Sequence, residues 1–95
     1  ITLYGYYINN KIIGIIGFRS PNHICLLFVD KKFHQKGIAK ALFGYLLENQ
    51  SNLDVITVNS SPYALNVYKK LGFKGESTII EEDGIKYVPL SYNLV

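Results

Sequence analysis

The segment Val29–Leu42 constrains the fold most, because an apolar run changes there, through basic residues, into a helical pattern. The apolar run Ile24–Val29 stops at Asp30, and lysine, histidine and glutamine residues follow up to Gly37. Beyond Gly37, apolar residues recur at the spacing of one helix face: Ile38, Ala41, Leu42, Tyr45 and Leu46. The segment predicts a strand, a basic turn, and a helix that starts near Gly37 and ends near Asn49.

The start of such a helix is suited to binding an anion. Its first backbone N–H groups have no partner within the helix and lie at the positive end of the helix dipole. Gly37 and Ala39 keep side-chain bulk away from the turn. Four lysines add positive charge there: Lys31, Lys32, Lys36 and Lys40. The segment therefore predicts a pyrophosphate site, although many strand-to-helix junctions with one glycine and lysines bind nothing.

The composition narrows the class of protein. With 95 residues, 48% of them hydrophobic and 18% charged, we expect a single globular domain over residues 1–95. The net charge of +3 is too small to indicate nucleic acid by itself. Cys25 is the one cysteine, so no cysteine metal cluster is expected and a cytoplasmic location fits. The apolar runs are too short to span a membrane.

The rest of the pattern alternates strands and helices. We predict strands and helices as follows: strands Leu3–Ile8, Lys11–Arg19 and His23–Val29, the Gly37 helix, strand Leu53–Val58, a helix capped by Ser61 with Pro62 at its first position, and strands Phe73–Ile80 and Ile85–Leu94. Asn9-Asn10 and Asp83-Gly84 predict tight hairpin turns, and Gly14 and Gly17 a bulge or close approach. The order β-β-β-α-β-α-β-β predicts an α/β mixed sheet with helices packed on it.

Two motifs in this order resemble the GNAT N-acetyltransferase superfamily. Its acetyl-CoA signature, Gln or Arg, two residues, Gly, one residue, then Gly or Ala, is similar to His34-Gln35-Lys36-Gly37-Ile38-Ala39, with His34 as the departure. The second motif is Ala64, three residues, Tyr68, then Leu71-Gly72-Phe73. The resemblance covers nearly the whole chain. It implies that the chain is the C-terminal, acetyl-CoA-binding portion and lacks the usual first strand and two helices, as its start at Ile1 without methionine also suggests.

The resemblance implies a function and its residues. Acetyl-CoA would donate an acetyl group to an unknown amine, a small molecule or a protein, by direct attack and without a metal. Tyr68 would be the general acid for the leaving thiolate. The backbone of Phe28 and Val29 would bind the pantetheine arm of the cofactor, and Ser61 would add a side-chain contact. The remaining cofactor-binding residues lie at the start of the first helix: His34, Gln35, Lys36, Gly37, Ile38, Ala39 and Lys40. Family members often carry Asn where this chain has Ser61.

Other interpretations of the same residues are open. Tyr68 also fits a core position with its hydroxyl at the edge. His23 and Cys25 share a strand face by alternation, which would suit a nucleophile and base. The chain could instead be a non-catalytic acyl-CoA-binding or interaction module, and an open first strand suits a homodimer. Aromatic residues of the first hairpin could stack on nucleic acid, an interpretation we disfavour because no RNA-binding motif accompanies them: Tyr4, Tyr6, Tyr7 and Phe18.

Overall fold

A computed structural model describes residues 1–75 and 78–95 of the chain. Its elements are β1 (Thr2–Ile8), β2 (Lys11–Arg19), β3 (His23–Val29), a 3₁₀ turn (Lys31–Phe33), α1 (Ile38–Asn49), β4 (Val55–Ser60), α2 (Leu65–Leu71), β5 (Ile80–Glu82) and β6 (Ile85–Asn93). This order confirms the predicted α/β fold with six strands and two helices. The chain divides into two compact units, residues 1–52 and 53–95, and the single-domain assignment stays a prediction.

In the first unit, β2 lies between β1 and β3 and is antiparallel to both. The predicted turn is confirmed, with Asn9 and Asn10 at φ values of 50° and 66°, the backbone that a two-residue hairpin turn requires. Both ladders contain a bulge. In the β1–β2 ladder Ile13 is the extra residue beside Gly14, and in the β2–β3 ladder Cys25 is the extra residue opposite Gly17 and Phe18.

Helix α1 packs on this three-stranded sheet at a place where Gly14 has no side chain. A Cβ at Gly14 would lie 3.1 Å from a Leu42 methyl, 3.1 Å from the Phe28 carbonyl oxygen and 3.2 Å from an Ile38 methyl. The helix therefore approaches β2 more closely there than a larger residue would allow. The core of the unit is apolar and buried: Ile13, Ile16, Phe18, Ile24, Ile38, Leu42, Phe43 and Leu46.

In the second unit, β6 lies between β4 and β5 and is antiparallel to both. The Asp83-Gly84 turn is confirmed by φ values of 52° and 80°. Strand β4 is confirmed as a strand but runs two residues later than predicted, because its pairing with β6 extends from Val55 to Ser60.

The predicted strand Phe73–Ile80 is wrong for the described residues. Only Lys74 forms a bridge, with Ser91, and β5 starts at Ile80. Glu76 and Ser77 lie outside the described residues. Pro89 lies in β6 between Tyr87, which pairs with β5, and Ser91, which forms the bridge to Lys74. Proline has no N–H to donate to a neighbouring strand.

Helix α2 starts later than predicted, so the assignment of Ser61 as its N-cap and Pro62 as its first residue is wrong. The helix begins at Leu65 after the N-cap residue Ala64. Ser61 Oγ instead accepts a hydrogen bond from the Ala64 backbone N–H at 3.1 Å, which closes a turn ahead of the helix. Gly72 ends the helix at a φ of 108°, as predicted for a glycine at this place.

Candidate functional site

The turn between β3 and α1 has an unusual backbone. Gln35 and Gly37 both have positive φ, 63° and 76°. Positive φ costs little at glycine but is uncommon at glutamine. None of the backbone N–H groups from Gln35 to Lys40 donates a hydrogen bond to another of the described residues; the first helical donor is Ala41, which bonds to the Gly37 carbonyl at 3.0 Å. We call these six residues, Gln35–Lys40, the cradle.

Anchors on both sides hold the cradle at the end of β3. The Asp30 N–H donates to the Ile13 carbonyl at 2.7 Å, which joins the chain to β2 just beyond the last residue of β3. The Asp30 carboxylate accepts from the Lys32 N–H at 3.0 Å and caps the 3₁₀ turn. On the other side, Ile38 is buried in the core of the first unit. The cradle therefore lies between a fixed strand end and a fixed helix.

The electrostatics of the cradle favour an anion. Lys31, Lys32, Lys36 and Lys40 are exposed, and none of them forms an ion pair with another described residue. Gly37 has open space around it, since a Cβ there would meet no atom within 4 Å. The N–H groups and lysines that lack a partner among the described residues, together with the start of a 12-residue helix, form a cationic surface of the kind that binds phosphate groups.

His34 lies beside the cradle but its ring turns back toward the strand. Its Nε2 lies 2.9 Å from the Val29 carbonyl oxygen. The residue is exposed. The structure thus gives this nitrogen a partner within the protein, and the prediction that His34 binds the cofactor stays a prediction.

Tyr68 is in the second unit, on the buried face of α2. Its side chain is only 6% exposed, and its ring forms a T-shaped pair with Phe73 at a centroid distance of 5.5 Å. Phe73 in turn lies 5.5 Å from the Tyr92 ring. A Cβ at Gly72 would be 2.9 Å from the Tyr92 ring, so this glycine lets the ring lie close to the end of the helix. The next residue, Phe73, contacts the rings of both Tyr68 and Tyr92.

The Tyr68 hydroxyl is unpaired among the described residues. It makes no hydrogen bond to any described residue, and its oxygen is not sealed from solvent. Burial of the ring raises the pKa of Tyr68 to about 12. The side chain therefore combines a fixed ring with an unpaired hydroxyl that stays protonated at neutral pH.

The structure also bears on the alternatives. Phe18 is 2% exposed, and the Tyr4 ring packs against Tyr45 at a centroid distance of 5.3 Å, so two of the four rings considered for stacking on nucleic acid already pack within the protein. The alternation that aligned His23 with Cys25 is interrupted by the bulge at Cys25. Burial and the nearby Arg19 lower the pKa of His23. No group of three or more metal-binding side chains occurs in residues 1–75 and 78–95.

The comparisons with known proteins give one consistent result. The family model described as "Acetyltransferase (GNAT) domain" matches residues 1–94. The chain belongs to the GNAT acetyltransferase family. This confirms the resemblance drawn from the two motifs. No helix of the described residues is long and apolar enough to cross a membrane.

Relatives of this GNAT chain are longer than the chain itself. A curated relative, the UPF0157 protein YqkA of Bacillus subtilis, is 30% identical over an alignment of 87 residues that covers 85% of this chain and 25% of the relative. An N-acetyltransferase structure from Rhodopseudomonas palustris has a TM-score of 0.83 at 18% identity and covers 97% of this chain, which spans 61% of that structure. A GNAT acetyltransferase from Elizabethkingia anophelis, solved with acetyl-CoA bound, has a TM-score of 0.70 at 23% identity, over 97% of this chain and 75% of that one.

Two residues position the cradle: Ile13, which sequence reasoning missed, and Gly14, which it marked as a bulge or close approach without naming a partner. The Ile13 carbonyl accepts from the Asp30 N–H because the β2–β3 register, which pairs Gly14 with Val29, continues one residue beyond the end of β3. Gly14 sets the depth of α1 through its contacts with Ile38 and Leu42. The glycine itself was the available signal, since a glycine inside a strand often marks a close approach. Its partner helix could not be named from the sequence.

Proposed function

We propose that this chain binds acetyl-CoA at the cradle and belongs to an N-acetyltransferase that acetylates an amine. The proposal rests on the N–H groups from Gln35 to Lys40 and the lysines beside them, which have no hydrogen-bond or acidic partner among residues 1–75 and 78–95. A pyrophosphate needs several donors and positive charge in one concavity. Membership of the GNAT family supports this assignment, and so does the relative solved with acetyl-CoA.

The cradle would hold the pyrophosphate of CoA through the backbone of Gln35, Lys36 and Gly37 and the first N–H groups of α1 at Ile38, Ala39 and Lys40. The Lys36 and Lys40 side chains would add charge-assisted hydrogen bonds. The backbone of Phe28 and Val29, at the end of β3, would contact the pantetheine arm. Ser61 would supply a polar contact through its hydroxyl, which already accepts one bond from Ala64.

The transfer would be a direct attack. The amine nitrogen forms a bond to the thioester carbonyl carbon, the oxygen takes the electron pair, and its return breaks the carbon–sulfur bond. The products are the acetylated amine and CoA, and the proton lost by the nitrogen balances the one gained by the sulfur. Tyr68 would donate a hydrogen bond to the departing sulfur.

The raised pKa of Tyr68 favours a role as a hydrogen-bond donor to the sulfur over complete transfer of its proton. A pKa of about 12 exceeds the value of an ordinary thiol, about 8.5, by roughly 3–4 units. Complete transfer of the phenol proton to the thiolate is therefore uphill. We expect Tyr68 to stabilise the sulfur by hydrogen bonding while the proton released by the amine completes the balance.

An acetyl-transfer assay on the complete natural protein tests this function. The protein is incubated with acetyl-CoA and a panel of primary amines, and the release of free CoA thiol is followed. We expect amine-dependent release, and Tyr68→Phe should lower kcat by about 10²-fold with the Kd for CoA little changed. Tight CoA binding without turnover on any amine would contradict the enzyme and support a non-catalytic acyl-CoA-binding module. A Tyr68→Phe variant with full kcat would make Tyr68 a packing residue.

A further inference from the structure

The turn that precedes the cradle contains one side-chain bond that spans it. His34 Nε2 reaches the carbonyl oxygen of Val29, five residues earlier, at 2.9 Å. The other bonds of this turn are made by backbone groups or by the adjacent Asp30 carboxylate. His34 also donates its own N–H to the Lys31 carbonyl at 3.4 Å, a long bond. The imidazole ring therefore makes the shortest hydrogen bond that joins His34, the residue before the cradle, to the end of β3.

The chemistry of this bond fixes the state of the ring. A carbonyl oxygen can only accept a hydrogen bond, so Nε2 must carry a proton. That requirement is met both by the neutral Nε2–H tautomer and by the imidazolium, since both have a proton on Nε2. The bond therefore persists whether or not the ring is charged, and this nitrogen is not available to a phosphate oxygen.

We propose that His34 is a positioning residue: its ring clasps the turn to Val29 and thereby holds the Gln35 and Lys36 N–H groups toward the anion. The inference rests on the proposed function, because it deepens the account of the same cradle. We call the bond between His34 Nε2 and the Val29 carbonyl the clasp. The clasp matters because the backbone next to it is strained. Gln35 adopts a φ of 63°, a conformation that costs a non-glycine residue free energy and needs surrounding structure to maintain it. His34 immediately precedes this residue.

The opposing interpretation makes His34 a direct cationic ligand of the pyrophosphate. The two differ in what they predict. A cationic ligand acts only when the ring is charged, whereas the clasp acts in both states. A glutamine at this position can replace the clasp, because its side-chain amide has N–H donors, but it cannot replace a charge. The comparison of alanine and glutamine substitutions across pH therefore separates them.

Nitrogen-15 NMR of the ligand-free chain is the first test. We expect the His34 ring to be the Nε2–H tautomer near pH 8, and His34→Ala to shift the Gln35, Lys36 and Gly37 amide resonances. His34→Gln should return these resonances toward their wild-type positions, while His23→Gln, at the far end of β3, should leave them unchanged. An Nδ1–H tautomer would overturn the proposal, and so would Gln35, Lys36 and Gly37 amide resonances that do not shift in His34→Ala. This test needs no ligand, so it decides the clasp even if CoA fails to bind and the proposed function falls.

CoA titration by calorimetry is the second test. We expect His34→Ala to raise the Kd for CoA by about 5–10-fold, the effect of one lost hydrogen bond, and His34→Gln to stay within about twofold of wild type. The loss should be the same near pH 5.5 and near pH 8, the range over which histidine changes charge. A loss confined to the lower pH, with no rescue by glutamine, would show a cationic ligand and overturn the positioning role. Binding by the wild type with no loss in His34→Ala would overturn it too.

Discussion

At the scale of single residues, the ring and the hydroxyl of Tyr68 have different surroundings. Its ring is buried against Phe73, as the core interpretation of the sequence required. Its hydroxyl has no hydrogen-bond partner among the described residues and is not sealed from solvent, as a donor to an external sulfur requires. The ring therefore takes the core position that the sequence allowed, and a catalytic role for the hydroxyl stays a prediction that the kinetics of Tyr68→Phe test.

The buried ring predicts a pH-dependent stability. In the unfolded chain the phenol has a pKa of about 10, and in the folded chain a pKa of about 12. Because the folded value is raised, the stabilisation is complete below pH 10 and is lost as pH rises through 12. The difference in the free energy of unfolding between wild type and Tyr68→Phe should fall by about 2 kcal/mol between pH 8 and pH 11.5.

Urea unfolding of both proteins at the two pH values measures that difference. All other ionisable groups are present in both proteins, so their contributions to the difference cancel. A difference that does not change with pH would show that the Tyr68 phenol is not shifted by burial.

At the scale of elements, the position of α1 on β2 decides where the cradle lies. Gly14 pairs with Val29 across the β2–β3 ladder and lies under Ile38, the first residue of α1. One glycine thus sets the distance between the strand end and the helix start. A side chain at Gly14 would have to displace either the helix or the Phe28 carbonyl.

Gly14→Ala should therefore destabilise the chain by about 1–3 kcal/mol, the usual cost of overpacking, and weaken CoA binding. Gly44→Ala is the matched control, because a Cβ at Gly44 meets nothing within 4 Å. Since Gly44 lies inside α1, alanine there should stabilise the chain by up to about 1 kcal/mol. Thermal unfolding and CoA titration of both variants provide the measurement. Equal stability of the two variants would contradict the role of Gly14.

The sequence predicted the order of the elements, both hairpin turns and the helix start near Gly37, because alternation, Asn-Asn, Asp-Gly and strand-to-helix patterns are local signals. It failed at Ser61, whose hydroxyl closes a turn and leaves the helix to begin at Leu65. It also could not foresee the bond from His34 to Val29 or the fit of Gly14 under α1. Those features depend on register and packing, which local patterns do not encode.

At the scale of the whole molecule, β1 forms an edge. Its strand partner among the described residues is β2 alone, so its other side presents unpaired backbone groups. Leu3 and Tyr7 on this strand are largely exposed, Tyr7 by 62%. An exposed apolar edge strand favours pairing with another chain.

The 95-residue chain should therefore self-associate through β1. Sedimentation velocity should show a dimer or larger species, and Tyr7→Lys should shift it toward the monomer, because a lysine on an edge strand opposes pairing. Tyr63→Lys is the control, since Tyr63 is 98% exposed and lies outside β1. A wild type that remains monomeric at high concentration would contradict this prediction.

We expect the cradle to bind the pyrophosphate of CoA, and calorimetric titration of Gly37→Glu with CoA tests this claim. Glutamate would place a negative charge in the open space at Gly37, whereas Gly37→Asn tolerates the positive φ without adding a charge. Arg19→Gln removes one positive charge at the far end of β2 and serves as the second control. We expect saturable binding by wild type and both controls and none by a folded Gly37→Glu. Unchanged CoA affinity in a folded Gly37→Glu variant would contradict the claim.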